Sequence, residues 1–376
     1  MKILWINPSF SDYRVPFYEH LNKLSDGNFH VVFSQLRMDS RVIEKAKLAL
    51  GDNAHCLTTD RFINIGPKEV KSTDRPLRIP FPQGLWDLIK SIEADVVIHD
   101  GFFQWAPWAV RKSLSAGIPF VIAYERTFHT ERVTGRLRSL YRKIIDNFVS
   151  GYLVNGILTE EYLTSGLGVK NKPIVKHVMA ADSSHMSKRV NAQGIKTKSV
   201  GLNFLFSGRM IELKGVSQLL DAWKLHSQRY SCDKLILVGD GPLLEKFQRE
   251  TEEDSSIEFR GYVRYDDMPL CYESADVFVM PTLQDNWSLV VPEAMACGLP
   301  IACSIYNGCY PELVKNGENG FVFNPLDIVD TCNALAAFHK SDLHAMGDKS
   351  RQIEADFTPQ KAAERSYALF KQLCHE

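Results

Sequence analysis

Asp285-Asn-Trp-Ser-Leu-Val-Val-Pro-Glu293, continuing as Ala-Met-Ala-Cys-Gly298-Leu-Pro300, stands between the apolar runs Val277–Met280 and Ile301–Cys303. That order reads as strand, loop, helix and strand. A loop that opens a helix presents backbone N–H groups without carbonyl partners and the positive end of the helix dipole, a setting that suits a phosphate. Asp285 lies just before the loop and Glu293 inside the helix, so a carboxylate flanks each side of such an anion. A nucleoside diphosphate sugar has the matching layout, with ribose, diphosphate and hexose in a row. A plain strand-loop-helix unit with a solvated Asp and a capping Glu has the same local pattern.

A second segment separates these readings. Phe206-Ser-Gly208-Arg209-Met-Ile-Glu-Leu-Lys214-Gly215 follows the apolar run Leu202 to Phe206. Arg209 offers a fork of donors and Lys214 a mobile point charge. Together they can neutralise a diphosphate as charge builds on it. Two such elements in one chain, in this order, are a far narrower pattern than either alone.

The two segments resemble the Gly-Arg-x4-Lys-Gly element and the carboxylate-x7-carboxylate motif of the retaining glycosyltransferases of family 4, which have the GT-B fold. The second half of the motif, Glu293-Ala-Met-Ala-x-Gly298-x-Pro300, is close to the family pattern. The first half departs from it. Asp285 stands where the family has Glu, Asn286 and Ser288 where it has glycines, and Trp287 where it has Phe. Leu237-Val-Gly239-Asp-Gly241-Pro242, Phe259-Arg-Gly261-Tyr-Val263, Tyr272 to Pro281, and Gly308 to Val322 add weaker matches, so the resemblance covers most of Asn203 to Pro325.

A chain of 376 residues is long enough for two α/β domains. Short apolar runs alternate with amphipathic stretches. In the first half the runs are Ile3–Ile6, His30–Phe33, Val96–Ile98, Phe120–Ala123, Tyr152–Val154 and Ile174–Lys176. In the second they are Phe204–Phe206, Leu235–Val238, Ile257–Phe259, Val277–Met280, Ile301–Cys303 and Phe321–Phe323. Strands of this kind separated by helical stretches predict parallel sheets covered on both faces. The fold expected is therefore α/β, with two Rossmann-like domains. The GT-B resemblance implies that their parallel sheets face each other across a cleft. The domains are placed at 1–185 and 200–358, joined by a polar linker over 186–199 that contains Lys188, Arg189, Lys196 and Lys198. The resemblance implies that a final helix within 359–376 crosses back onto the first domain.

Met1 to Pro8 has too short an apolar run for a signal peptide, and no window is long and apolar enough to span a bilayer. The eight cysteines form no CxxC pair, and Cys297, Cys303 and Cys309 lack an accompanying His pair. Free thiols in a reducing cytoplasm are the simplest reading, and no zinc site is expected. Residues 1–185 carry 24 Lys+Arg against 19 Asp+Glu, a net of +5; residues 186–376 carry 20 against 26, a net of −6. A basic first half suits an anionic acceptor or a bilayer surface, and equally arises from ordinary variation between domains. The expected location is cytoplasmic, with peripheral contact to the membrane face through the first domain. No nucleic-acid partner is indicated.

The first half departs further from the family. The loop after its first strand, Asn7-Pro8-Ser-Phe-Ser-Asp12-Tyr13-Arg14, has no glycine. Arg14 reads as a phosphate or acceptor contact, or as a residue that pairs at a helix start. After Gly117-Ile-Pro119 and the strand Phe120–Tyr124, Glu125 and Arg126 stand where relatives often carry a His. Strand ends are where α/β enzymes place their chemistry, so Glu125 is assigned to catalysis, with Arg14, Asp100, Arg126 and His129 as acceptor candidates. The aromatics of His99-Asp100-Gly101-Phe-Phe-Gln104-Trp105-x2-Trp108 suit either sugar stacking or the core. The run with Arg132, Arg136, Arg138, Arg142 and Lys143 suits either an anionic acceptor or a solvated helix face.

The resemblance implies a retaining, metal-independent hexosyltransferase with no cofactor. It would move a sugar from a UDP- or GDP-sugar to a hydroxyl of a glycan or lipid-linked acceptor, as in polysaccharide or glycoconjugate synthesis. Arg209, Lys214, Asp285 and Glu125 are the catalytic set. Donor contacts are expected from Gly208, Arg209, Lys214, Gly239, Val263, Asp285, Asn286, Ser288, Leu289, Val290 and Glu293. Glu293 would hold ribose hydroxyls and Asp285 hexose hydroxyls. A catalytically silent binding subunit of the same fold, or a nucleotide-sugar epimerase, is the alternative; the epimerases lack the Gly-Arg-x4-Lys-Gly element.

Overall fold

The computed structural model describes residues 1–65, 77–180, 182–183, 186 and 200–375. The chain divides into two compact units, Met1–Ala180 with Pro359–Glu376, and Ala181–Thr358. Lys188, Arg189, Lys196 and Lys198 of the expected linker lie outside the described residues.

Unit 1 contains β1 (Ile3–Ile6), β2 (Phe29–Ser34), β3 (Ala54–Leu57), β4 (Asp60–Ile65), β5 (Leu77–Pro82), β6 (Val96–Asp100), β7 (Phe120–Tyr124), β8 (Gly151–Val154) and β9 (Ile174–Val175). Seven of these form a parallel sheet in the order β3-β2-β1-β6-β7-β8-β9. Successive side chains of a strand point to opposite faces. In β1, Leu4 and Ile6 enter one core cluster and Ile3 and Trp5 the other, all without exposed surface. A run with no polar alternation is thus satisfied only by cover on both sides, which the crossover helices supply. The helix Pro359–His375 belongs to this unit and packs along the helix Arg14–Leu24. Small Ala362 and Ala363 let the backbones approach, while Leu369 and Phe370 fill the core beside Phe17 and Leu21.

Unit 2 contains β10 (Asn203–Ser207), β11 (Lys234–Val238), β12 (Ile257–Gly261), β13 (Val277–Met280), β14 (Ile301–Ser304) and β15 (Gly320–Phe323). They form a parallel sheet in the order β12-β11-β10-β13-β14-β15. In each sheet the first strand lies inside, and the order reverses beside it. The reversal falls between β1 and β6 in unit 1 and between β10 and β13 in unit 2. Loops leaving the carboxyl ends of strands at such a point diverge and leave a crevice, where open α/β sheets bind ligands.

The twelve strands expected from apolar runs are present. Three more strands were not expected. β3 is Ala-His-Cys-Leu and sits at the sheet edge, so half of its side chains need no apolar partner. β4 and β5 pair antiparallel, Asp60 opposite Pro82, as a hairpin outside the main sheet. Neither shows an apolar run.

Phe370 has no exposed surface. Phe370→Ala should cost about 3–5 kcal/mol of unfolding free energy, read from denaturant titration. A loss below about 0.5 kcal/mol, the range of surface substitutions, would show that the final helix is not a packed part of unit 1.

Candidate functional site

At the reversal point of unit 2, the loop after β10 meets the loop after β13. Gly208 N donates to Val238 O, which holds the first turn of the β10 loop against β11. A 3-10 turn, Glu212–Lys214, then leads through Gly215 into the helix Val216–Arg229. Gly215 has φ +68°, and a Cβ there would lie 1.9 Å from Pro281 O. Gly239, with φ +133°, has the same relation to Gly208 O, also 1.9 Å. These two glycines let three loops approach by backbone contact. Leu283 N and Thr282 Oγ1 both donate to Leu213 O at 2.8 Å and close the seam.

The seam brings Lys214 and Asp285 together. Lys214 Nζ is 2.5 Å from Asp285 Oδ2, with both side chains mostly buried. Ser288 Oγ donates to the same oxygen at 2.6 Å, and Trp287 N donates to Oδ1 at 3.1 Å. Asp285 therefore organises the loop Asn286–Ser288 from its own side chain. Gly308 N donates to Asp285 O, and Ser288 N reaches the fully buried Asn307 Oδ1 at 3.4 Å. Asn286 is half-buried, and its Oδ1 has no hydrogen-bond partner among the described residues.

Leu289 and Val290 are half-buried and begin the helix Val290–Ala296, whose first N–H groups have no carbonyl of their own helix to bind. Glu293, also half-buried, accepts from Tyr272 Oη at 3.0 Å. Burial, and then the Glu293 charge, hold the Tyr272 phenol well above its ordinary pKa, so it remains a donor. The same two causes push the Cys297 thiol up to about 12. Arg209 is exposed, and its guanidinium has no ion-pair partner among the described residues. Val263 follows β12 and is half-buried. Sequence reasoning reached the charged residues of this set but missed Asn307 and Tyr272, and it gave Asp285 hexose hydroxyls to hold. Three donors already occupy that carboxylate. The Trp287 contact is an Asx turn, readable from Asp two residues before it; the Lys214 contact is not local.

Unit 1 gathers a second cluster at its own reversal point. Arg14 at the start of its helix is 95% buried by side chain, with Nη2 3.5 Å from Asp100 Oδ2 and 3.4 Å from Glu125 Oε1. Trp5 Nε1 donates to Asp100 Oδ1 at 2.8 Å and Asn7 Nδ2 to Oδ2 at 2.6 Å. Burial alone would favour a neutral Arg14; Asp100, Tyr18, Tyr13 and Glu125 outweigh it and keep the guanidinium charged. Burial, then Glu125, push the Tyr13 phenol up to about 12. Arg14 Nη1 is buried with no hydrogen-bond partner among the described residues, an open donor that a hydroxyl or an anion would satisfy.

The remaining candidates divide. Arg126 lies over Glu131, 3.3 Å away, and that buried carboxylate also takes Arg142 at 2.8 Å. Arg142, expected on a solvated or acceptor-binding stripe, is buried instead. His129 is half-buried, and its carbonyl accepts from Arg132. Phe102 and Trp105 belong to the core and do not offer stacking faces; Phe103 and Trp108 are half-buried against it. His99 is buried, donates from Nδ1 to Gly101 O, and burial lowers its pKa to about 4. All eight cysteines are free thiols. His226 and His339 both bond Asp233 Oδ2 at 2.8 Å, just before β11 and so at the amino end of the sheet, away from Lys214 and Asp285.

Residues 201–341 match the family model described as Glycosyl transferases group 1. Over 162 residues, 42% of this chain, the sequence is 30% identical to an uncharacterized glycosyltransferase of Haemophilus influenzae and covers 45% of that protein. Over another 162-residue alignment it is 28% identical to the alpha-monoglucosyldiacylglycerol synthase of Acholeplasma laidlawii, covering 42% of this chain and 39% of that one. The chain thus spans less than half the length of these curated relatives. The structure of Anabaena HepE in complex with UDP and glucose superposes with a TM-score of 0.69 over 99% of this chain and 100% of that one, at 16% identity. The fold is GT-B: two α/β units, each built on a parallel sheet.

Gly215→Ala tests the seam. The added methyl meets Pro281 O and disfavours the left-handed backbone, which costs about 1–2 kcal/mol before any clash. Thermal melting should show a lower transition for unit 2. An unchanged melt would show that the loops are not held in this close approach.

Proposed function

We propose that the chain is a glycosyltransferase that uses a nucleotide sugar, with unit 2 holding the donor. One observation carries this reading. Lys214, Asp285 and Ser288 meet at the carboxyl-end crevice of a sheet whose sequence matches the group 1 family model, and the loop bearing Arg209 and the helix bearing Glu293 leave the same strand ends. One relative is an alpha-monoglucosyldiacylglycerol synthase, and the HepE structure holds UDP and glucose. A uridine or guanosine diphosphate would lie with its phosphates by Arg209, Lys214 and the N–H groups of Leu289 and Val290. Glu293, already braced by Tyr272, would accept from ribose hydroxyls.

In the proposed reaction an acceptor hydroxyl oxygen bonds to the anomeric carbon as the bond from that carbon to the diphosphate breaks. The nucleoside diphosphate carries the bonding pair away. Its phosphate oxygen takes the acceptor proton on the same face, which would retain configuration. Lys214 would loosen from Asp285 and move onto the leaving group, and Arg209 would share its charge. Asp285, with Ser288 and Trp287 still bound, would keep the loop in shape and present its remaining lone pair to the hexose. The acceptor, a glycan or a lipid-linked hydroxyl, would be taken by Arg14, Asp100 and Glu125 at the carboxyl ends of the unit 1 sheet. A lipid-linked acceptor would bring peripheral contact with a membrane.

Four experiments test the reading. Arg209→Ala and Lys214→Ala should each lower turnover by at least about a hundredfold; near wild-type rates in both would remove the assignment. Since the two cations take the part a divalent ion plays elsewhere, transfer should survive EDTA, and loss restored by magnesium or manganese would contradict the mechanism. Glu125→Gln should impair transfer more than nucleotide affinity measured by calorimetry. Equal losses would make Glu125 a donor or structural residue. Slow donor hydrolysis without acceptor separates an active enzyme from a silent binding subunit.

A further inference from the structure

The helix Arg136–Asp146 carries a second apolar face that no described residue of its unit covers. Ile145 is buried against the unit 1 core, and Arg142 turns inward to Glu131 and Tyr162. On another side Leu137 is 83% exposed, Leu140 57% and Ile144 50%. At 100° per residue these three fall within an arc of about 60°. Val133 before the helix and Phe148 after it are exposed as well, and they continue the spacing. Single exposed leucines are ordinary, whereas a contiguous stripe of large apolar side chains marks an interaction surface.

The charge beside the stripe says what covers it. Arg132, Arg136 and Lys143 are exposed. The one acid of the helix, Asp146, is taken by Lys172 Nζ at 2.7 Å and Tyr152 Oη at 2.6 Å. The face is therefore apolar along its middle and cationic at its margin. A second copy of the chain would set cations against cations. An anionic bilayer satisfies both features: acyl chains receive the stripe and headgroup phosphates the cations. No helix among the described residues is long and apolar enough to cross a membrane, so contact of this kind lies on the surface.

We propose that the helix Arg136–Asp146, with its flanking Val133 and Phe148, is the surface by which this protein docks on a membrane rich in anionic lipid. This extends the peripheral contact suggested for a lipid-linked acceptor and rests on that reading only for its purpose, since docking needs no donor and no transfer.

Flotation of the full chain with phosphatidylcholine vesicles, plain or mixed with phosphatidylglycerol, tests the surface. The protein should float with the mixed vesicles, weakly with the plain ones, and less as salt is raised. Leu137→Gln, Leu140→Gln and Ile144→Gln together should abolish flotation. Arg136→Gln with Lys143→Gln should lower it about tenfold or more and flatten the salt dependence. All five positions are exposed, and an unchanged melting curve with intact binding of UDP or GDP confirms folding. Absence of wild-type flotation, equal flotation with plain vesicles, or undiminished flotation of the triple variant overturns the proposal. So does a wild-type dimer that the triple variant converts to monomer. Failure of nucleotide binding in a wild-type protein that still floats would count against the donor site alone.

Discussion

The close approach of the β10 and β13 loops is the constraint on which unit 2 depends. Gly215 sits with backbone against Pro281 O, and Leu213 O accepts two donors from the facing loop. Only because the backbones touch can Lys214 reach Asp285 across 71 positions of sequence. Asp285 in turn orders Trp287 and Ser288, which set the start of the helix bearing Glu293. A Lys with a long, flexible side chain would otherwise lose rotamer freedom to hold one position. The ion pair supplies that order before any ligand arrives, in a setting partly shielded from water, where a charge-assisted bond is stronger than on an open surface.

This arrangement explains the departure of the loop from the more common glycine-rich form. A loop built on glycines approaches a ligand by having no side chains. Here Asn286 and Ser288 stand in place of glycines, with Trp287 between them, and the loop is held from within. Ser288 binds Asp285, Trp287 is buried beside Phe357, and Asn286 packs its carbonyl where Gly308 leaves room. Rigidity comes from packing and hydrogen bonds, and the shorter Asp285 fits because it binds within its own loop. A Glu at that position would carry its carboxylate a methylene further, away from Trp287 N.

Most of the fold was legible because buried parallel strands are short unbroken apolar runs, and twelve such runs were present. β3 and the β4–β5 hairpin were not legible because an edge strand and a two-stranded ribbon need little burial. The charged residues of the candidate site were legible as candidates because their spacing is fixed by strand-loop-helix geometry. Their partnerships were not. Lys214 with Asp285 depends on which loops the sheet order brings together, Tyr272 with Glu293 on how the helices on either side of β13 pack, and Arg142 with Glu131 on a fold-back within the single β7–β8 connection. A basic run in sequence likewise divides in space: Arg142 turns into the core, while Arg136 and Lys143 stay exposed.

Unit 1 and unit 2 handle their cations in opposite ways, and the difference bears on their roles. Arg209 is exposed and without an ion-pair partner among the described residues, while Lys214 is held by Asp285 and would have to leave it to meet a second anion. Arg14 is buried between Asp100 and Glu125, with Trp5 and Asn7 completing Asp100. Burying a guanidinium is costly unless its charge and its donors are satisfied. Asp100 and Glu125 satisfy the charge, while Nη1 is left without a partner. The three-residue cluster carries a formal negative charge, with one cation between two carboxylates. It is therefore suited to hydroxyls, which accept from Arg14 Nη1 and donate to Glu125, more than to a phosphate. That difference in polarity fits the proposed division of labour, in which unit 2 would take the diphosphate and unit 1 the acceptor hydroxyl.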